Sequence, residues 1–246
     1  MRQVELDDLV PLPARGRTFR ESRRVRLTDL DPSGRLRLDT VARFLQEIAI
    51  DDVDETGWGV PEHLWFVRRM RMDVLEPFVG DREVSLATWC SGLAAIAAGR
   101  RWTLAGDRRG RVEVDSVWIH LDAAQRPARI TEFAPYAEAA GGRRVSTRAE
   151  LPEPVPGAQR SSWPLRASDL DLHGHVNNTV YWQALEHVLL TTGPDARRPL
   201  RTRLEFREPL DLDDELELAV TGDGIRLGVA FVAGGRLNAV AEVESL

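Results

Sequence analysis

Asp171, His173 and His175 occupy alternate positions in SDLDLHGHVNNTVYWQALE (Ser168 to Glu186), and Asn177 and Asn178 follow where a helical pattern begins. A carboxylate beside an imidazole is common equipment for general acid–base chemistry near neutral pH. The first turn of a helix adds free backbone N–H groups and a positive dipole end, the surroundings an oxyanion needs. Plainer readings of the same residues stay open. Asp171 can be a cap, His175 a packed side chain, and Glu208, the next candidate acid, a salt-bridge partner of Arg203 or Arg207. Asn177 and Asn178 are capping candidates first and substrate contacts second. Asp171 with His173-x-His175 also has metal-ligand spacing.

Other nucleophiles find little support. No G-x-S-x-G elbow occurs, and Cys90, the only cysteine, sits among Leu86, Ala87 and Trp89 with no His near it in sequence. The 246 residues, 43% of them hydrophobic, suffice for a proper core. No apolar run approaches the roughly 18 residues of a membrane span. Glu5, Asp7 and Asp8 precede any apolar stretch, so a cytoplasmic chain without a signal peptide is expected. A formal charge of -6 argues against nucleic acid as a partner. All 33 basic residues are arginine, and the pairs Arg68–Arg69, Arg143–Arg144 and Arg197–Arg198 offer local positive charge to an acidic partner.

An internal repeat sets the elements that must hold this chemistry. RLTDLDPSG (Arg26 to Gly34) matches RASDLDLHG (Arg166 to Gly174) at an offset of 140 residues. A helical stripe follows each copy: Val41, Phe44, Leu45, Ile48 and Ala49 in the first, Val180, Ala184, Leu185, Val188 and Leu189 in the second. Both helices carry a Glu, Glu47 and Glu186. MRMDVLEPFVGDREV (Met70 to Val84) then parallels TRLEFREPLDLDDEL (Thr202 to Leu216), now at an offset of 132 (Arg71 to Arg203). Strand-like runs with hairpin punctuation complete each unit, predicting a strand, a long helix and an antiparallel meander. The expected fold is α+β, a tandem (double) hotdog: two helix-wrapped antiparallel sheets paired within one chain. The expected units are residues 1–140 and 161–246, joined by a stiff, solvated Pro-rich linker over 141–160. The first copy has Asp31 and Glu76 at the aligned positions but Arg35 in place of His175. Arginine cannot act as a base, so that copy should be inactive, with its Asp, Arg and Glu forming a structural ion-pair group.

The blocks FLQEIAIDDVDETG (Phe44 to Gly57), WFVRRM (Trp65 to Met70), GDREVSLATWCSG (Gly80 to Gly92), SVWIHLD (Ser116 to Asp122) and above all Ser168 to Glu186 resemble the acyl-ACP thioesterases of plants and bacteria, tandem hotdog enzymes of fatty acid biosynthesis. The resemblance covers roughly residues 18 to 244 and implies hydrolysis of a fatty acyl thioester by activated water, without a cofactor or metal. It places the family's Asp on Asp171, its His on His175 and its downstream Glu on Glu208. The family's Asn falls on His173, and a Cys of the plant enzymes on Pro209. It further implies acyl carrier protein as partner. Helix chemistry, not the resemblance, puts Asn177 and Asn178 at an oxyanion, and Phe44, Trp65, Phe66 and Met70 are candidates to line an acyl tunnel, although an apolar stripe is more often core. A monomer or a homodimer fits. An acyl-CoA hydrolase and a non-catalytic acyl-thioester binding module are the competing readings.

Overall fold

The stripe Val41, Phe44, Leu45, Ile48 folds into helix α1 (Leu38–Glu55), and its counterpart into α3 (Asn178–Thr192). A computed structural model describes residues 9–57, 64–131, 133–152 and 157–246. Glu5, Asp7 and Asp8, and Pro154 and Pro156 of the expected linker, lie outside the described residues. Five strands accompany α1: β1 (Thr18–Arg24), β2 (Leu64–Glu76), β3 (Glu83–Leu93), β4 (Ala97–Gly106) and β5 (Arg111–Leu121). Five more accompany α3: β6 (Gln159–Ser162), β7 (Leu200–Phe206), β8 (Leu216–Gly222), β9 (Arg226–Ala233) and β10 (Arg236–Ser245). They form one antiparallel sheet in the order β1-β3-β4-β5-β2-β7-β10-β9-β8-β6, the tandem hotdog. Among the described residues no helix is long and apolar enough to cross a membrane.

Three details depart from the sequence-based expectation. First, β2 does not join a simple meander. It pairs with β5 and β7, which buries both edges of the longest strand instead of exposing one. Second, a short helix, α2 (Ala134–Ala140), closes over Cys90 with Tyr136, Ala139 and Ala140. Seven residues are too few to show a periodicity, and the helix stops at Gly141 in the left-handed region (φ 56). Burial pushes the Cys90 thiol up to about 11, so it stays protonated at neutral pH. Third, residues 141–152 are largely exposed, as a solvated linker is, but are also tied to the sheet. The Thr147 carbonyl accepts from Arg68 Nε (3.2 Å), and the Glu150 and Leu151 N–H groups donate to Glu205 (2.6 and 3.0 Å).

The halves meet along β2 and β7 in a register that obeys the repeat. Arg71 faces Arg203, its own counterpart, while Met70 faces Leu204 and Met72 faces Thr202. Residue i therefore meets j and its repeat partner returns the contact, the rule of a two-fold interface. Alternation splits the two strands into faces. Met70, Met72, Val74, Leu200, Leu204 and Phe206 enter a single core with α1 and α3. The opposite face carries Arg71, Asp73, Arg201 and Glu205, and there the fully buried Asp73 receives Arg71 (2.7 Å) and Arg201 (2.9 Å).

Burial alone would raise the Asp73 carboxyl, but the hydrogen bonds and charges of Arg71 and Arg201 outweigh it and hold it below the ordinary carboxylate range. A lowered value means that the folded state favours the ionised form. Its stabilisation is complete above the unfolded-state value and is lost as pH falls through the folded one. Removing one partner of such a buried group costs about 3–5 kcal/mol. Asp73→Asn should therefore lower the urea midpoint strongly at pH 7, and the gap to wild type should narrow as pH falls below the carboxylate range. A pH-independent gap would assign the loss to packing.

Candidate active site

A 3-10 turn over Ala167–Asp169 delivers the chain to a five-residue loop, Asp171–His175, closed by a bridge between Leu170 and Val176. The Asp171 N–H donates to the His175 carbonyl (2.8 Å), and Gly174 makes the turn at φ 81, where other residues are strained. The Asp171 carboxylate accepts from the His173 N–H (2.8 Å) and the His175 N–H (3.3 Å), so it shapes the loop backbone. The first copy repeats this atom for atom. Asp31 accepts from the Ser33 and Arg35 N–H groups at 2.8 and 3.0 Å.

His175 stands where the loop meets α3. Its Nδ1 lies 2.9 Å from Asp211 Oδ1, and Nε2 lies 3.2 Å from the carboxamide oxygen of Gln125. A carboxylate only accepts, so Nδ1 carries the hydrogen of the neutral ring, and Nε2, then an acceptor, pairs with Gln125 when the carboxamide turns its NH2 group toward the ring. Gln125 comes from the N-terminal half, on the turn after β5, at an unusual positive φ of 58. Two residues touching the imidazole were thus missed from sequence. Neither carried a sequence signal; the folded repeat accounts for Asp211, since the Leu36 N–H bonds the Phe78 carbonyl as the Val176 N–H bonds that of Leu210.

The remaining expected residues are placed as follows. His173 is exposed at the loop tip. Glu208 is exposed and lies 3.8 Å from Arg236 rather than on the His175 ring. Asn177 caps α3, accepting from the Thr179 N–H at 2.9 Å and its hydroxyl at 2.8 Å, and Asn178 is the first residue of the helix. Phe44 and Met70 are buried in the common core, whereas the Trp65 ring packs on His120 and Phe133 (centroids 5.2 and 5.7 Å). Among the described residues no three His, Cys, Asp or Glu side chains cluster as a metal site.

The arginines also sort differently. Arg143 is spent on the Ser91 and Ala139 carbonyls, and Arg68 on those of Thr147 and Phe206, so these two arginines act as internal ties. A groove of about 590 Å³ gathers others: Arg23, Arg24, Arg26, Arg37 and Arg43 line it with Asp29, Asp39 and Glu47. Phe44 and Thr179 line it too, Thr179 being the second residue of the helix that His175 precedes. The expected ion-pair group of the first copy needs one correction. Arg35 binds Asp31 (3.1 Å) and, across the halves, Glu186, while Glu76 is exposed.

Residues 16–134 match the family model of the acyl-ACP thioesterase N-terminal domain, and residues 153–241 that of the C-terminal domain. An uncharacterized protein of Mycobacterium tuberculosis is 29% identical over 248 residues, covering 100% of this chain and 98% of its own. The chloroplastic oleoyl-acyl carrier protein thioesterase 2 of Arabidopsis thaliana is 26% identical, over 85% of this chain and 64% of its own. Among solved structures, the 12:0-ACP thioesterase from Umbellularia californica superposes with a TM-score of 0.74 at 19% identity, over 92% of this chain and 96% of that one.

The cap at Asn177 can be tested without reference to activity. Losing an N-cap side chain costs about 1 kcal/mol. Asn177→Ala should lose that much in urea unfolding. An unchanged midpoint would mean that the cap does not hold α3.

Proposed function

The chain belongs to the acyl-ACP thioesterase family, and on that premise we propose that it hydrolyses the thioester of a fatty acyl chain held on acyl carrier protein. The observation that carries this reading is the His175 ring, with Nδ1 on Asp211 at 2.9 Å, at the N-terminus of α3. In the proposed reaction a water takes the place of Gln125 beside Nε2 and gives its proton to that nitrogen as its oxygen attacks the thioester carbon. The carbonyl π electrons move to oxygen, and the Asn178 N–H with the helix dipole stabilises the oxyanion. On collapse the C–S bond breaks, its electron pair leaves with sulfur, and Nε2 returns the proton to the thiolate.

Each part of the chain has a place in this proposal. Asp171 holds the loop and Asp211 the ring, with Glu208 and His173 at the solvent side of the site. Residues 161–246 form the catalytic half. Residues 1–140 form the pocket half, with Phe44 and Met70 toward the acyl chain and Trp65 at its edge, and 141–160 the connection between them. The groove supports an anionic carrier through Arg24 and Arg26, since Arg23, Arg37 and Arg43 are already paired with Glu21 and Asp51, with Asp39 and with Asp29.

His175→Ala should lower kcat by about 10²–10⁴. Asp211→Asn should fall between that variant and Glu208→Gln. The reverse order of the two acids would return the ring-orienting role to Glu208. Assays against acyl-ACP and acyl-CoA of several chain lengths test the substrate, and hydrolysis of acyl-CoA alone, or of neither, would overturn it. The double variant Arg24→Glu/Arg26→Glu should raise KM for acyl-ACP about tenfold at low salt, with the difference shrinking as salt rises. A salt-independent effect would remove the groove from carrier binding.

A further inference from the structure

The two helix N-termini are built on the same plan but are filled differently. The 3-10 turns, the loop bridges and the first helical residues all match at an offset of 140, so Leu38 corresponds to Asn178, Arg35 to His175 and Glu186 to Gln46. Glu47, which sequence had set beside Glu186, is a surface partner of Arg43 (3.1 Å). In the N-terminal copy Arg37 provides no side-chain cap. Instead Glu186, 4% exposed, reaches across from α3, accepts from the Leu38 N–H at 3.0 Å and pairs with Arg35. A carboxylate thus sits on the first N–H of α1, beside the residue that replaces His175. In the C-terminal copy the carboxylate is a carboxamide. Gln46 Oε1 is shielded from solvent with no hydrogen-bond partner, and the Asn178 N–H meets no acceptor among the described residues.

We propose that the Glu186 carboxylate is a built-in anion that fills the oxyanion position of the N-terminal copy, and that Gln46, neutral at the equivalent place, keeps the α3 N-terminus open for the thioester. A carboxylate at 46 would gain a charge-assisted hydrogen bond and the helix dipole, as Glu186 does. It would also oppose the negative charge that develops in the transition state. Gln46 is then a specificity residue contributed by the half that lacks the base. This inference rests on the proposed thioester hydrolysis for its kinetic test, but not for its structural one.

Gln46→Glu and Gln46→Met, in the full chain, separate charge from shape. Gln46→Glu should lower kcat/KM for acyl-ACP by about 100-fold or more, the scale of losing an oxyanion donor, while Gln46→Met should lose no more than about tenfold. Independently of activity, amide exchange by NMR should show Leu38 protected and Asn178 unprotected in the wild type, with Asn178 becoming protected in Gln46→Glu. The Tm of Gln46→Glu should be no lower than that of wild type, because the carboxylate acquires partners of the kind that hold Glu186. Equal damage from Met and Glu, an Asn178 amide indifferent to Gln46→Glu, or a variant that fails to fold would each overturn the proposal. If the wild type hydrolyses no thioester while the Asn178 amide still responds as expected, the hydrolytic reading fails and the assignment of Gln46 stands.

Discussion

The pairing of β2 with β7, centred on Arg71 facing Arg203, is the constraint from which the rest of the molecule follows. Its register maps each half onto the other, so α1 and α3 must cross one core in opposite directions. The helix of one half is thereby brought to the loop of the other. Glu186 reaches Leu38 for this reason, and Gln46 is its counterpart on α1. A slip of one residue in that register would turn Met70, Met72 and Leu204 outward and Asp73 inward. The ion pairs on Asp73 guard against it, since an ionised carboxylate has no tolerable place among the core side chains.

Much of this was legible in the sequence, for identifiable reasons. A repeat in which Asp, Leu, Asp and Gly recur before two helical stripes can only fold into two equivalent loops. Both loops do use their Asp as a backbone acceptor and their Gly at φ 81. Apolar alternation found β2 and β7 because each is buried on one face and partly exposed or ion-paired on the other. The pairing order was not legible, because hydrophobic pattern says which face a strand buries and nothing about which neighbour it takes. The short α2 escaped for want of length.

The candidate site was half visible. His175, Asp171, Asn177 and Asn178 are neighbours in sequence and in space. The groups that contact the imidazole came from elsewhere: Asp211 from the loop between β7 and β8, and Gln125 from the other half. Side chains that meet only through tertiary structure leave no spacing to read. Charge pairs misled for a related reason. Arg68 and Arg143 look like surface charges in a list of residues, but a long guanidinium lying over a sheet finds unpaired carbonyls and stays there.

The asymmetry between the two helix N-termini also gives a physical reason for carrying both halves on one chain. In a symmetric dimer the residue at the Glu186 position and the residue at the Gln46 position would be the same residue. If it were a glutamate, both helix N-termini would be capped and held, and both would repel an oxyanion. With glutamine, both would be open to substrate, but neither helix would gain the buried carboxylate that α1 receives at 3.0 Å. Covalent linkage of the copies removes that symmetry. One terminus can then be closed with a carboxylate and an arginine, which fixes the crossing of the helices, and the other left neutral beside a histidine. Stability and reactivity make opposite electrostatic demands on the same place in the fold, and two copies in one chain meet them separately.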